Sequence, residues 1–116
     1  MSDLVTIDIN SAGVADIRLN RVDKYNALSP EMFDAITEAG EALLDNTSVR
    51  AVVLSGNGRG FCAGLDFSGF LGMAGDSDGT PITARRESTG RTPGNPVQQP
   101  GMVWKKVPVP VVAAIH

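Results

Sequence analysis

The sequence closes with a nearly unbroken apolar run at residues 107–115, followed by His116. An apolar run of this kind predicts a strand buried on both faces, as in a parallel sheet with covering layers. Pro108 and Pro110 are expected to mark the entry to this strand, because proline cannot donate a hydrogen bond to a central ladder. A buried strand is normally followed by an element that covers it, so an end at this point is unexpected.

Hydrophobic patterns in the rest of the chain predict a mixed α/β fold, in the order strand, strand, helix, strand, loop, helix, strand. Strands at 4–9 and 14–19 are expected to form a hairpin. Ser29, Pro30 and Glu31 indicate a helix start, and apolar residues at helical spacing follow to position 44. Residues 50–55 are a buried-strand candidate, and a second helix is expected to end at 102–106. The hairpin residues expected to point inward are Val5, Ile7, Ile9, Val14, Ile17 and Leu19.

Residues 74–100 contain only four apolar residues, which is too few to hold them in a packed state. We therefore expect a mobile loop at 74–100 within a domain that spans residues 1–116.

Composition excludes several classes of function. The chain of 116 residues has a formal charge of −3 and lacks the basic footprint of a nucleic-acid binder. No apolar run approaches the ~20 residues of a membrane span, and the polar start is not a secretory signal. One cysteine suits a reducing cytosol. We expect a cytoplasmic protein with no nucleic-acid or membrane partner and, since no metal-ligand spacing occurs, no metal.

A glycine-rich segment at 56–64 follows the strand predicted at 50–55, and glycines let backbone N–H groups approach a ligand closely. Residues 58–63 fit G-x-G-x-x-A, a dinucleotide-binding pattern, although the acidic residues ~20 positions later do not end a second strand. Cys62 is a candidate nucleophile, with a small buried thiol as the alternative.

Two further candidates lie near the end of the sequence. His116 is a candidate general base, although no orienting acid is adjacent in the sequence. Trp104 with Lys105 and Lys106 could stack on a base or contact a phosphate. The alternative is an aromatic anchor at a helix end beside two solvated lysines.

Three segments carry a resemblance to a known family. Residues 20–32 (NRVDKYNALSPEM), 50–66 (RAVVLSGNGRGFCAGLD) and 108–116 (PVPVVAAIH) resemble signature stretches of the enoyl-CoA hydratase/isomerase (crotonase) superfamily, in the family order and spacing. The resemblance covers nearly the whole chain and is weakest at 72–101. It implies the N-terminal part of a crotonase-like ββα superhelix that assembles as a homo-trimer or hexamer.

The resemblance also implies an enzyme that acts on acyl-CoA thioesters. We expect a lyase that hydrates 2-enoyl-CoA, because hydratases are a common assignment in the family, which also includes isomerases, decarboxylases and dehalogenases. In the family, two backbone N–H groups bind the thioester oxygen and stabilise an enolate. The first corresponds to the N–H of Leu65, while the second, and the acid–base glutamates, correspond to positions beyond His116. Coenzyme A is part of the substrate, so no separate cofactor is implied. This chain alone is expected to be inactive, and the alternative is a non-catalytic CoA-binding or oligomerising module. The residues implied to contact acyl-CoA are Arg21, Lys24, Cys62, Ala63, Gly64, Leu65, Asp66, Phe67 and Ser68.

Overall fold

The computed structural model describes residues 3–68 and 90–116. The mixed α/β class is confirmed by its elements. In chain order these are β1 (Val5–Ile9), β2 (Val14–Leu19), a 3₁₀ helix (Val22–Lys24), α1 (Pro30–Ala42), β3 (Ala51–Gly56), α2 (Gln99–Lys106) and β4 (Val111–Ala113). Most of the loop predicted at 74–100 lies outside the described residues, and α2 begins within its last two positions. The mobility of the loop at 74–100 stays a prediction.

The four strands form one sheet in the order β1-β2-β3-β4. β1 and β2 make the predicted antiparallel hairpin, in which Ile7 pairs with Ile17. β3 runs parallel to β2, and β4 runs parallel to β3. Parallel neighbours need a crossover connection, which α1 supplies between β2 and β3. The carboxyl ends of β2, β3 and β4 therefore lie at one edge of the sheet.

Helix α1 begins where the sequence predicts. The Ser29 side chain accepts a hydrogen bond from the backbone N–H of Met32 at 3.2 Å, and Pro30 occupies the first turn, where no N–H donor is needed. Met32 and Ile36 on this helix pack with Leu19 of β2. A second cluster joins the other end of α1 to the sheet; its buried members are Ala15, Ile17, Ala39, Leu43, Val49, Val52 and Val107.

The inward face of the hairpin differs from the prediction at two positions. Ala15 rather than Val14 shares the buried face with Ile17 and Leu19, because side chains of a strand alternate with a period of two. Ile7 is 41% exposed, since it lies on the outer strand of the sheet. The opposite face of β2 carries Arg18, whose pKa is raised by the hydrogen bond and charge of Asp16.

The strand predicted at 107–115 is wrong in extent. β4 contains three residues, Val111–Ala113, and Val107 instead packs at the end of α2. Val112 is 60% exposed and Ile115 is 74% exposed. In the part of the chain that the structure describes, β3 is the strand that pairs with β4, and the other side of β4 has no strand against it. Among the described residues, no helix has the length and apolar character that crossing a membrane requires.

Residues that precede α2 are attached to the end of α1 by buried polar contacts. The hydroxyl of Thr92 donates to Glu41 Oε1 at 2.7 Å. Gln99, which is 1% exposed, donates through Nε2 to the carbonyls of Thr92 and Gly94 at 3.3 and 3.0 Å. These bonds satisfy buried polar groups and fix the start of α2 against α1.

Candidate functional site

Three segments meet at the carboxyl edge of the parallel strands. Residues 20–28 follow β2, residues 57–66 follow β3, and residues 114–116 follow β4. The backbone N–H of Asn57 donates to Leu19 O at 2.9 Å, and the N–H of Phe61 donates to His116 O at 3.2 Å. Ligands of open parallel α/β sheets bind outside the carboxyl ends of the strands, so this edge is the candidate site.

Leu65 presents a free backbone donor at this edge. Leu28 forms a parallel bridge with Leu65: the N–H of Leu28 donates to Gly64 O at 2.7 Å, and the N–H of Asp66 donates to Leu28 O at 2.9 Å. Successive N–H groups of an extended segment point to opposite sides, so the N–H of Leu65 points away from Leu28. Within residues 3–68 and 90–116 no acceptor binds this N–H, and the Leu65 side chain is 51% exposed.

Gly64 sets the direction of that donor. Its φ of +91° lies in the region that residues with a Cβ rarely adopt, although no other atom lies within 4 Å of where a Cβ would stand. Conformation rather than crowding therefore requires glycine. One residue earlier, the N–H of Ala63 donates to Tyr25 O at 3.0 Å. The loop is thus fixed on both sides of Leu65, whereas the N–H groups of Gly64 and Leu65 have no acceptor within the described ranges.

The two basic residues expected to contact substrate have different surroundings. Arg21 Nη1 lies 2.7 Å from Asp66 Oδ2 and donates to Ala27 O at 3.0 Å, with side-chain exposures of 21% for Arg21 and 11% for Asp66. This pair neutralises the charge of Arg21 and joins the segment after β2 to the loop after β3. Lys24 is exposed on the 3₁₀ helix, and among the described residues its ammonium group has no ion-pair partner.

Asn26 joins two segments of the site by hydrogen bonds, a role that the sequence did not predict. It is 0% exposed and has a φ of +56°, in the left-handed region that asparagine tolerates better than most residues. Its Nδ2 donates to the carbonyls of Asn57, Gly60 and Phe61 at 2.9, 3.1 and 3.1 Å, and its Oδ1 accepts from Arg21 N at 2.8 Å. An asparagine before a helix start indicates a turn, but it does not indicate which carbonyls its amide binds.

The remaining loop residues differ in burial. Cys62 is half-buried and packs beside the cluster of Leu19, Met32 and Ile36. No hydrogen bond to its thiol occurs in the described structure. Both observations favour a small packed thiol over a nucleophile. Phe67 is 73% exposed.

Polar contacts hold the two ends of the site. Ser68 donates from its hydroxyl to Asp66 Oδ1 at 2.6 Å. His116 Nε2 lies 3.0 Å from Gly58 O, which holds the imidazole against the glycine loop.

Two alternatives from the sequence are not supported. The dinucleotide pattern needs a helix that opens within the glycine segment, and residues 58–64 are not helical. Trp104 packs against both core clusters while Lys105 and Lys106 are exposed, as expected of an aromatic anchor beside two solvated lysines. Among the described residues, no group of three or more His, Cys, Asp or Glu side chains could hold a metal ion.

Together, the mixed sheet and the three loops at the carboxyl edge of its parallel strands define an α/β protein with an open site and a free backbone donor. A sequence model of the family described as "Enoyl-CoA hydratase/isomerase" matches residues 9–116. The chain belongs to the enoyl-CoA hydratase/isomerase family.

Named relatives and solved structures agree with this assignment. The chain is 38% identical over 66 residues to "Probable enoyl-CoA hydratase echA12" of Mycobacterium leprae, which covers 57% of this chain and 22% of that protein. It is 32% identical over 117 residues to the mitochondrial Delta(3,5)-Delta(2,4)-dienoyl-CoA isomerase of Rattus norvegicus, which covers 96% of this chain and 34% of that protein.

The fold is also that of a solved enoyl-CoA hydratase/isomerase from Mycobacterium abscessus, described as putative, with a TM-score of 0.76 and 33% identity. The match covers 97% of this chain and 40% of that chain. The crotonase-like fold expected from the sequence is confirmed. The chain spans between a fifth and two fifths of the length of these three proteins.

Proposed function

We propose that this chain binds acyl-CoA thioesters and that the backbone N–H of Leu65 donates a hydrogen bond to the thioester oxygen. The observation that supports this most strongly is the Leu65 N–H, which has no acceptor among the described residues, in a loop fixed by the bonded N–H groups of Ala63 and Asp66. A donor held in this way does not need to reorient when negative charge develops on the oxygen that it faces. The family assignment supports the CoA thioester as the ligand class.

The proposed reaction is hydration of a 2-enoyl-CoA. The oxygen of water bonds to C3 and gives up a proton to a base, while the electron pair of the C2–C3 double bond shifts through the carbonyl onto the thioester oxygen. The resulting enolate then takes a proton at C2. One fixed donor facing the enolate oxygen is worth about 10²–10³ in rate. Leu65 has this role in the proposal.

Proton transfer is assigned to groups outside this chain. Asp66, the carboxylate next to Leu65 in the sequence, is held in an ion pair with Arg21 at 2.7 Å, so the proposal gives it a structural role in the loop. We propose that a second donor and the acid–base residues are contributed by the rest of a longer protein, which is cytoplasmic and assembles as a trimer or hexamer. The longer protein is supported by the relatives, since the matches cover 22%, 34% and 40% of the three proteins compared.

The CoA part of the ligand is assigned to the same edge. Lys24 is exposed and has no ion-pair partner among the described residues, so we assign to it the contact with a CoA phosphate. Arg21 contributes to the site through its ion pair with Asp66, which holds the loop at residues 62–68 in place.

The proposal is tested by calorimetry with crotonyl-CoA and with its thioether analogue S-but-2-enyl-CoA, which lacks the carbonyl oxygen. A net hydrogen bond of about 1 kcal/mol predicts that the thioester binds about fivefold more tightly than the thioether. Equal affinities would show a CoA-binding module without an oxyanion donor. Binding of NAD with no binding of either CoA compound would overturn the ligand class.

A further inference from the structure

We infer that Asn26 is a positioning residue for the Leu65 N–H, an inference that rests on the proposed function. Asn26 is fully buried, so it does not face a ligand and acts through the backbone that it binds. It stands between the two segments that form the candidate site, residues 20–28 and residues 57–66. Its side chain uses both ends of the amide to hold them together.

The amide of Asn26 anchors the loop that follows β3. The two N–H bonds of Nδ2 are shared among three carbonyl oxygens, those of Asn57, Gly60 and Phe61, at 2.9 to 3.1 Å. Three carbonyl oxygens that converge on one point repel each other unless a donor lies between them. The amide nitrogen supplies that donor, and Oδ1 at the other end accepts from Arg21 N at 2.8 Å.

The neighbours of Asn26 carry this position on to Leu65. Tyr25 O accepts from the N–H of Ala63, and Leu28 binds Gly64 O and the N–H of Asp66 on either side of Leu65. Backbone hydrogen bonds from residues 25–28 therefore hold residues 63–66 in place. Because Asn26 fixes residues 25–28 against residues 57–61, it also fixes the direction in which the Leu65 N–H points.

The junction between residues 20–28 and residues 57–66, at which Asn26 lies, is closely packed. A Cβ on Gly56 would lie 2.8 Å from Asn26 Nδ2 and 2.7 Å from Phe61 O, closer than real contacts allow. Tyr25 and Asn26 both adopt left-handed backbone conformations, with φ of 50° and 56°. Non-glycine residues keep such conformations only where surrounding contacts enforce them, and such positions are concentrated at functional sites.

Asn26→Asp is the variant that isolates the donor. It keeps the Oδ1 acceptor and the tolerance for a left-handed backbone, but it replaces the donating nitrogen with a carboxylate oxygen that faces three carbonyls. Asn10→Asp is the matched control. Asn10 binds through Oδ1 alone in the described structure, to the N–H groups of Ala12 and Val14 at 3.0 Å each, so the same change of charge costs it no donor bond.

The first measurement is amide hydrogen exchange without ligand. In Asn26→Asp the exchange of the Ala63 and Asp66 amides should accelerate at least about tenfold relative to the wild type, while the amides of β2 keep their protection. Asn10→Asp should leave the Ala63 and Asp66 amides unchanged. Unchanged protection of these two amides in Asn26→Asp would overturn the inference.

The second measurement is the ratio of affinities for crotonyl-CoA and S-but-2-enyl-CoA. Asn26→Asp should lower the preference for the thioester from about fivefold to about onefold while thioether affinity stays within about twofold, because the donor moves but the CoA contacts remain. A purely structural role would lower both affinities together and keep their ratio, which would overturn the inference.

The two proposals fail in different ways. If the wild type shows no thioester preference, the proposed function fails, and hydrogen exchange still decides whether Asn26 holds the loop. If Asn26→Asp does not fold, Gly56→Ala gives the same test from the other side of the junction. Gly56→Ala should show the same loss of Ala63 protection and of thioester preference, and retention of both would count against the inference.

Discussion

Gly40 lies where α1 and α2 cross, and replacing it tests how the two helices pack. A Cβ on Gly40 would stand 2.6 Å from both Cγ1 and Cγ2 of Val103, whereas carbon atoms in contact are normally ~3.5–4.0 Å apart. Val103 is 0% exposed and β-branched, so one rotamer is strongly preferred in a helix and its methyl groups cannot turn away. Gly40→Ala must therefore push α2 away from α1.

Opposing effects set the size of the change. Overpacking of a buried contact lowers the free energy of unfolding by about 1–3 kcal/mol, whereas replacing glycine by alanine inside a helix raises it by about 0.8–1.0 kcal/mol. We expect Gly40→Ala to lower the free energy of unfolding by about 1 kcal/mol. Val103→Ala removes two buried methyl groups and should cost about 2 kcal/mol. In the double variant the methyl group added at position 40 occupies part of the space that the Val103 side chain leaves.

The informative quantity is the coupling between the two substitutions, measured by urea unfolding with Trp104 fluorescence. The helix-propensity term appears on both sides of the double-mutant cycle and cancels, so the coupling reports the contact alone. We expect the double variant to be about 1–3 kcal/mol more stable than the sum of the single effects. Gly101→Ala in α2 is the control, since its Cβ would meet no other atom within 4 Å. Additivity within about 0.5 kcal/mol would refute the packing of α1 on α2 at this point.

Three further predictions concern the site. Gly64→Ala should lower the free energy of unfolding in urea titrations by about 1–3 kcal/mol, because the φ of Gly64 is +91°. Gly60→Ala is the control and should change it by less than about 0.5 kcal/mol, because Gly60 has no positive φ and a Cβ there would meet open space. Equal effects of the two substitutions would argue against the left-handed turn. Lys24→Ala should weaken crotonyl-CoA binding about two- to fivefold at low salt and reduce its salt dependence, measured by calorimetry. Lys105→Ala, at the exposed end of α2, should have no effect, and a loss as large as that of Lys24→Ala would contradict the role of Lys24. The chain alone should not hydrate crotonyl-CoA, as followed by the loss of enoyl absorbance; appreciable turnover would contradict the assignment of proton transfer to groups outside it.

The sequence predicts the parts of the fold that depend on local patterns. α1 starts at Ser29 and Pro30 as expected, because the cap and the first-turn proline act within one helical turn. The bounds of β2 agree with the alternation at 14–19. The extent of β4 could not be read in the same way, because an apolar run does not show which of its residues pair with a neighbouring strand. The register with β3 shows that residues 111–113 do so.

In the candidate site, too, local sequence patterns predict some features, whereas others depend on contacts between distant residues. The motif places Leu65 and Gly64 in a loop, and the structure then shows the free N–H and the positive φ that make the loop useful. The role of Asn26 depends on carbonyls 31 to 35 residues away, and no local pattern specifies such partners. The ion pair of Arg21 with Asp66 is equally non-local, so the sequence could not show that the charge of Arg21 is already neutralised.

The central claim is that the Leu65 N–H binds the thioester oxygen, and heteronuclear amide NMR tests it most directly. On titration with crotonyl-CoA, the Leu65 amide proton should move downfield as it gains an acceptor, while those of Ala63 and Asp66, which are already bonded, should move less. Free coenzyme A, which has no acyl oxygen, should leave the Leu65 resonance in place. A Leu65 amide that stays unmoved while neighbouring resonances report crotonyl-CoA binding would contradict the claim.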